Sequence, residues 1–301
     1  MVERSGRKGI LESPLEAGKR LNRADGQELG VEMNFIRMSD GARISYDDIG
    51  RGPVILFAHC LGGSRTIWLP VVSRLADRYR CIAYDLRGQG DSETTPGPYS
   101  MAGLARDAHD LLDALDIDRC VFAGVSMGGM VAQHLALIAP QRVAALILAD
   151  TAGGFDAAGR VAWDERISQL QQGGIASLVD TMMGRWFSEA FRQARPESVA
   201  PIAAILATAD LAGYLASCAA VRDHDLRERL PEIVAPTLVI CGENDPSTPP
   251  AMSRALAEKI PGARLEILSG LNHLPNFEAP ERFSGVVENF LQPIWLSPTG
   301  C

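Results

Sequence analysis

A serine set between glycines, Gly124-Val125-Ser126-Met127-Gly128, stands upstream of an aspartate and a histidine, Asp245 and His273, and this combination points to nucleophilic acyl transfer. A serine hydroxyl is a weak nucleophile at neutral pH. An imidazole must take its proton as the oxygen attacks and return it to the leaving group, and a carboxylate must hold the ring tautomer and stabilise the imidazolium. Chance supplies about 0.1 matches to the five-residue pattern in a chain this rich in glycine, so the pattern alone is weak. Its setting carries the weight. Residues 119–123 read as a buried strand running into the serine, and residues 130–137 as an apolar helix running out. A sharp strand-to-helix turn would lift the hydroxyl above a sheet, with glycine required at 124 and 128 because a β-carbon would collide across so tight a turn.

The order serine, acid, histidine demands a carboxylate and then an imidazole downstream, each at a strand end. Asp245 follows the strand-like 236–241 in the turn Gly242-Glu243-Asn244-Asp245-Pro246, and His273 follows the strand-like 263–268. Asp150, at the end of the apolar run 143–149, is the competing acid. Asp245 is favoured because it lies between Ser126 and the histidine with a strand of its own. Of the five histidines, His134 falls two helical turns past the serine and should point away. His109 and His224 sit in charged, helix-like segments and read as solvated. His59 precedes a glycine-rich turn, where it would buttress the loop. His273 is left as the base.

That turn, His59-Cys60-Leu61-Gly62-Gly63-Ser64, ends the apolar strand 53–58 and is the place to look for amides that stabilise an oxyanion. The two donors are assigned to the N–H groups of Leu61 and Met127. Cys60 has two readings, a thiol open to reagents and a small apolar residue packed under the loop, and the second is preferred.

The elements that must position these groups alternate. Two antiparallel strands, 33–38 and 42–49, come first. Strands at 54–58, 81–85, 120–123, 144–149, 237–241 and 265–268 then alternate with helices, which predicts an α/β fold with a mostly parallel eight-stranded sheet flanked by helices and sites at the strand carboxyl ends. Between 152 and 222 the alternation stops and the pattern becomes helical. The expected organisation is a mobile extension or start-site artefact over 1–30, a core from 31–151 and 223–301, and a helical lid over 152–222, inserted after the sixth strand. The Met and aromatic residues of the lid, among them Trp163, Met182, Met183 and Trp186, read mainly as its own core.

At 301 residues with 47% hydrophobic and 22% charged residues, the chain has the composition of a globular enzyme. A net charge of −8 without a dense basic run argues against a nucleic-acid partner. Neither an uncharged stretch of spanning length nor a secretory leader is visible, and the cysteines lack C-x-x-C spacing, so the expectation is a reduced, cytoplasmic protein with no membrane partner. No cluster suggests a metal, and the chemistry requires no cofactor. The oligomeric state is left open.

Together with Asp85-Leu86-Arg87-Gly88-Gln89-Gly90-Asp91-Ser92, which is similar to a family loop of pattern D-x-R-G-x-G-x-S, these residues resemble the α/β-hydrolase superfamily over about residues 33–292. The resemblance implies that this loop is structural and that Arg87 pairs locally. Within the superfamily the chain resembles the 3-oxoadipate enol-lactonases, through Gly97-Pro98-Tyr99-Ser100, Ala149-Asp150-Thr151-Ala152, Trp163-Asp164-Glu165-Arg166-Ile167 and Cys218-Ala219-Ala220-Val221-Arg222-Asp223. That implies a Ser126, Asp245, His273 triad acting on a small carboxylate-bearing enol-lactone in aromatic catabolism. A generalist carboxylesterase is the alternative, and a hydrolase-like ligand sensor a more distant one. An anionic substrate entering a protein of charge −8 needs a local cation. Arg160 and Trp163, early in the lid, are the candidates to clamp and cover it, with solvated lid surface the competing reading for Arg160.

Overall fold

The computed structural model describes residues 20–22, 28–30 and 34–296. The extension expected over 1–30 lies outside the described residues, except for a short antiparallel ladder of β1 (Arg20–Asn22) and β2 (Glu28–Gly30). The remaining strands are β3 (Asn34–Arg37), β4 (Arg43–Ile49), β5 (Val54–Ala58), β6 (Arg80–Tyr84), β7 (Cys120–Val125), β8 (Val143–Ala149), β9 (Thr237–Gly242) and β10 (Arg264–Leu268). They form one eight-stranded sheet in the order β10-β9-β8-β7-β5-β6-β4-β3. It is parallel from β10 to β6, with β4 antiparallel to β6 and β3 antiparallel to β4.

Position in the sheet explains the strand sequences. β7, β8 and β9 are buried along their whole length, because helices cover both faces, and apart from Thr237 at the start of β9 they are apolar runs. The edge strand β10 instead exposes Arg264 and Glu266 between half-buried Leu265 and Ile267. The covering helices include α1 (Leu69–Leu75), α2 (Met101–Ala114) and α3 (Met127–Ile138). In α2 the Ser100 hydroxyl accepts the Gly103 N–H at 3.1 Å, and Leu104, Ala108, Leu111 and Leu112 form one buried stripe.

The strand order places the site. After β5 the chain adds β6 on one side and then crosses to add β7 on the other. The loops leaving the carboxyl ends of β5 and β7 therefore diverge around a crevice, the usual ligand position in open α/β sheets. Those loops are the Cys60-Leu61-Gly62 turn and the Ser126 turn.

Five helices separate β8 from β9: α4 (Ala157–Gly173), α5 (Val179–Trp186), α6 (Glu189–Ala194), α7 (Pro196–Ala207) and α8 (Leu211–Arg222). Leu170, Met182, Met183, Trp186, Phe187, Leu206 and Tyr214 are buried within this layer or beneath it. Among the described residues no single helix is long and apolar enough to cross a membrane, and the apolar pair α7 and α8 meets at 94°. The chain returns to the sheet and ends in α9 (Pro250–Lys259), α10 (Pro275–Glu278) and α11 (Pro280–Leu296).

One histidine departs from its sequence reading. His224 is buried rather than solvated, because the turn after α8 folds inward against α3. Its Nε2–H donates to the Ala152 carbonyl at 3.1 Å, which leaves Nδ1 to accept from His134 Nε2–H at 3.3 Å. Burial pushes both imidazoles down to about 4. An unfolded histidine titrates near 6.5, so between those values the unfolded chain binds more protons than the native one. Stability is therefore expected to be level in these groups above pH 6.5 and to fall as pH drops from about 6.5 to 4. Thermal unfolding across that range should show the decline, and His224→Gln should lessen it by removing one of the two groups.

Candidate active site

Ser126 occupies a backbone conformation that side chains rarely adopt, φ 55° and ψ −117°. Strain of this kind costs about 1–3 kcal/mol and persists only where the surroundings over-determine it. Here they do. The Ser126 N–H donates to Ala149 O at 2.9 Å, and its carbonyl accepts from Gly129 N–H at 3.0 Å, Met130 N–H at 3.2 Å and the Thr151 hydroxyl at 2.7 Å. A Cβ at Gly124 would stand 2.2 Å from Gly128 O, and one at Gly128 would stand 2.2 Å from Ala58 O. Both obstacles are backbone, so only glycine lets β7 turn into α3 this close to β5.

His273 and Asp245 meet under the same crevice, with Nδ1 to Oδ2 at 2.8 Å and both residues buried. Asp245 Oδ1 accepts the Ser247 N–H at 2.7 Å, and Oδ2 also accepts the Thr248 hydroxyl at 2.6 Å. Asp245 is thus a turn aspartate capping its own loop and a buried acid facing a histidine at once. Burial would raise its carboxyl, but His273, Thr248 and Ser247 outweigh that and hold it down at about 2. The carboxylate stays ionised. Its bond to Nδ1 places the imidazole proton there and leaves Nε2 as the basic nitrogen.

The turn after β5 is held from three sides. His59 Nε2 accepts the Leu86 N–H at 2.9 Å, so its Nδ1–H donates to Cys60 O at 2.7 Å. Burial lowers this imidazole, which fits a neutral ring acting as a strut. The Gly128 N–H donates to His59 O at 3.1 Å and ties the turn to the serine loop. The Gly62 N–H goes to Gln89 Oε1 at 2.6 Å, and the Gly63 N–H to Cys60 O at 3.0 Å. Among the described residues the amides of Leu61 and Met127 have no internal acceptor, Met127 because the first N–H groups of a helix have no intrahelical partner. Cys60 is buried, its thiol pushed up to about 12 by burial. Arg87 pairs with Asp107 and Asp40, away from the crevice.

A cavity of about 440 Å³ opens over these groups, lined from below by Cys60, Leu61, Ser126 and His273 and from above by Trp163, Arg166, Met182 and Trp186. Trp163 therefore lines the cavity. Arg160 does not line the cavity; its guanidinium lies 3.8 Å from Asp225 and is 41% exposed. The cations in its lining are Arg166 and Arg185, and Glu165 lines it as well. Arg160 and Arg166 are three residues to either side of Trp163 on α4, and both lie beside it on the helix surface. Only the packing of α4 against α8 selects Arg166, whose Nη2 donates to the Tyr214 hydroxyl at 2.6 Å. Among the described residues Arg166 has no carboxylate partner, and its Nε is a buried donor without an acceptor. Its guanidinium carbon is 5.0 Å from the Trp163 ring centroid.

Known proteins share this arrangement of elements. The enol-lactonase structure from Burkholderia xenovorans superposes with a TM-score of 0.82 at 32% identity, covering 86% of this chain and all of that one. The 3-oxoadipate enol-lactonase 2 of Acinetobacter baylyi is 35% identical over 247 residues, 81% of this chain and 91% of its own. RutD of Agrobacterium fabrum, whose name describes a carbamate hydrolase, is 29% identical over 80% of this chain and 94% of its own. The α/β hydrolase fold family matches residues 53–280, which run from the start of β5 to the start of α11. With the eight-stranded sheet and the tight turn from β7 into α3, that match makes this chain a member of the α/β-hydrolase family.

Proposed function

We propose that this hydrolase opens a small carboxylate-bearing enol-lactone, 3-oxoadipate enol-lactone to 3-oxoadipate, through a Ser126 acyl-enzyme. Ser126 Oγ attacks the lactone carbonyl as His273 Nε2 takes its proton, and Asp245 holds the Nδ1–H and stabilises the imidazolium. The Leu61 and Met127 amides receive the developing oxyanion, each worth about 3–4 kcal/mol in comparable sites. Collapse breaks the ring C–O bond. The enolate oxygen leaves with the proton from His273, and the enol tautomerises to the ketone. Water, deprotonated by His273, then releases the oxo-diacid. Helices α4 to α8 act as the lid that closes over the ring, with Trp163 covering it.

The observation that carries the substrate class is Arg166: among the described residues it has no carboxylate partner and its buried Nε–H has no acceptor, and it lines the same cavity as Ser126. A substrate carboxylate would satisfy both. Arg185, also in the lining, adds positive charge, which Glu165 in the same lining partly offsets. The names of the relatives span lactone and carbamate substrates, and the apolar lining from Met130, Leu178 and Met252 suits an uncharged acyl group equally well. A generalist carboxylesterase is therefore the second reading.

Purified enzyme assayed on 3-oxoadipate enol-lactone, p-nitrophenyl acetate and a simple carbamate separates them. One charge-assisted contact is worth about 1.5–3 kcal/mol, so kcat/KM for the enol-lactone should exceed that for the neutral ester by about 10-fold to 10²-fold. Arg166→Met should raise KM for the enol-lactone by about the same factor and leave kcat/KM on p-nitrophenyl acetate within about threefold. Preference for the neutral ester or the carbamate, or an Arg166→Met variant equally impaired on every substrate, would overturn the lactone assignment.

A further inference from the structure

Asp150 takes no part in the steps above, yet it is fully buried at the end of β8 and keeps a left-handed backbone, φ 43°. Its Oδ1 accepts the Gly242 N–H at 2.8 Å, while its buried Oδ2 accepts no hydrogen bond among the described residues. A carboxylate oxygen of Asp150, one of Asp245 and the Cys241 sulfur all lie within 4.8 Å of one another. We propose that Asp150 is a positioning residue that keeps its proton on Oδ2 and donates it to Asp245, so tempering the pull of Asp245 on the His273 imidazolium.

This inference rests on the triad reading above, and three observations support it. First, two buried carboxylates this close cannot both be ionised with a single imidazole to balance them. The titratable groups facing Asp150 are Asp245 and Cys241, from β9 and the loop after it, with His273 behind Asp245; among the described residues no cation pairs with Asp150. Second, the lone pairs count out. Among the described residues Asp245 Oδ2 already accepts from His273 and Thr248, and Oδ1 accepts only from Ser247, so one acceptor site remains. Third, the division of labour follows from the surroundings. Asp245 is the member of the pair with three donors and stays ionised; burial and the neighbouring Asp245 charge push Asp150 well above the usual carboxylate range, and Cys241 is pushed up to about 12 and remains a thiol.

The signs of the substitutions separate a proton donor from a second anion. Asn at position 150 accepts from Gly242 through its oxygen, donates to Asp245 through its amide, and tolerates a positive φ. For Asp150→Asn the acid limb of the kcat/KM profile should stay within about 0.3 pH unit of wild type, and kcat within about threefold. Asp150→Gly tolerates the backbone but removes the donor. Asp245 then holds the imidazolium more strongly, and the acid limb should move up by about half to one pH unit. Were Asp150 ionised, Asp150→Asn would remove an anion and move the limb down instead. Infrared difference spectra at pH 8 give a readout independent of turnover: wild type minus Asp150→Asn should contain a carboxylic-acid carbonyl band, in the Ser126→Ala background as well. A downward limb in Asp150→Asn, an unmoved limb in Asp150→Gly, or no carboxylic-acid band overturns the proposal. Retained activity in Ser126→Ala would instead sink the triad reading and leave the infrared result standing.

Discussion

Ser126→Ala is expected to lower kcat/KM by about 10⁴-fold or more on any ester or lactone substrate, because the proposed attacking atom is gone while the amides and the cavity remain. The fold should not change. The hydroxyl oxygen makes no cap bond to α3. The groups that fix the strained turn, the Ala149 carbonyl, the Thr151 hydroxyl and the amides of Gly129 and Met130, act on the Ser126 backbone and stay in place. Thermal unfolding should therefore superimpose on wild type. Mass spectrometry of wild type quenched on a slow ester should find the acyl group on Ser126, and the variant should carry none. A variant that loses its melting transition together with its activity would show that the serine serves the fold. One that keeps both would move the nucleophile elsewhere.

Asp245→Asn is expected to cost about 10⁴-fold in kcat, for a reason legible in its hydrogen bonds. Asp245 Oδ1 receives the Ser247 N–H, and an asparagine amide placed there would set two donors against each other. The amide nitrogen must therefore take the place of Oδ2, facing His273 Nδ1 and the Thr248 hydroxyl. A nitrogen donating to Nδ1 forces the imidazole proton onto Nε2. That proton would point at the serine, and no lone pair would be left to accept its hydrogen. KM on p-nitrophenyl acetate should change little, since Asp245 does not line the cavity. The same substitution at Asp150 should be nearly silent, so the pair of variants decides between the two acids that the sequence offered. Loss at 150 with retention at 245 would reverse the assignment.

Much of the scaffold was legible beforehand because the central strands of a covered parallel sheet are short, almost wholly apolar and bounded by turn residues. β5, β8 and β9 fall within a residue or two of their expected limits. The serine turn was legible for a related reason: Gly124 and Gly128 answer a local collision, and local sterics are written in neighbouring residues. His224 was misread because charged neighbours suggest a solvated segment, whereas the turn after α8 folds inward and gives the ring the Ala152 carbonyl and His134.

The sequence by itself determined the order of strands and helices, the tight turn at Ser126 and the chain order of serine, acid and histidine, since each depends on short-range periodicity, turn sterics or connectivity. Tertiary structure alone decided that Arg166 rather than Arg160 faces the cavity and that Asp150 lies beside Asp245. The physical reason is the same in both cases. A helix surface offers several equivalent positions and a strand end several acids, and only packing against elements distant in the chain selects which one loses its water and meets a partner.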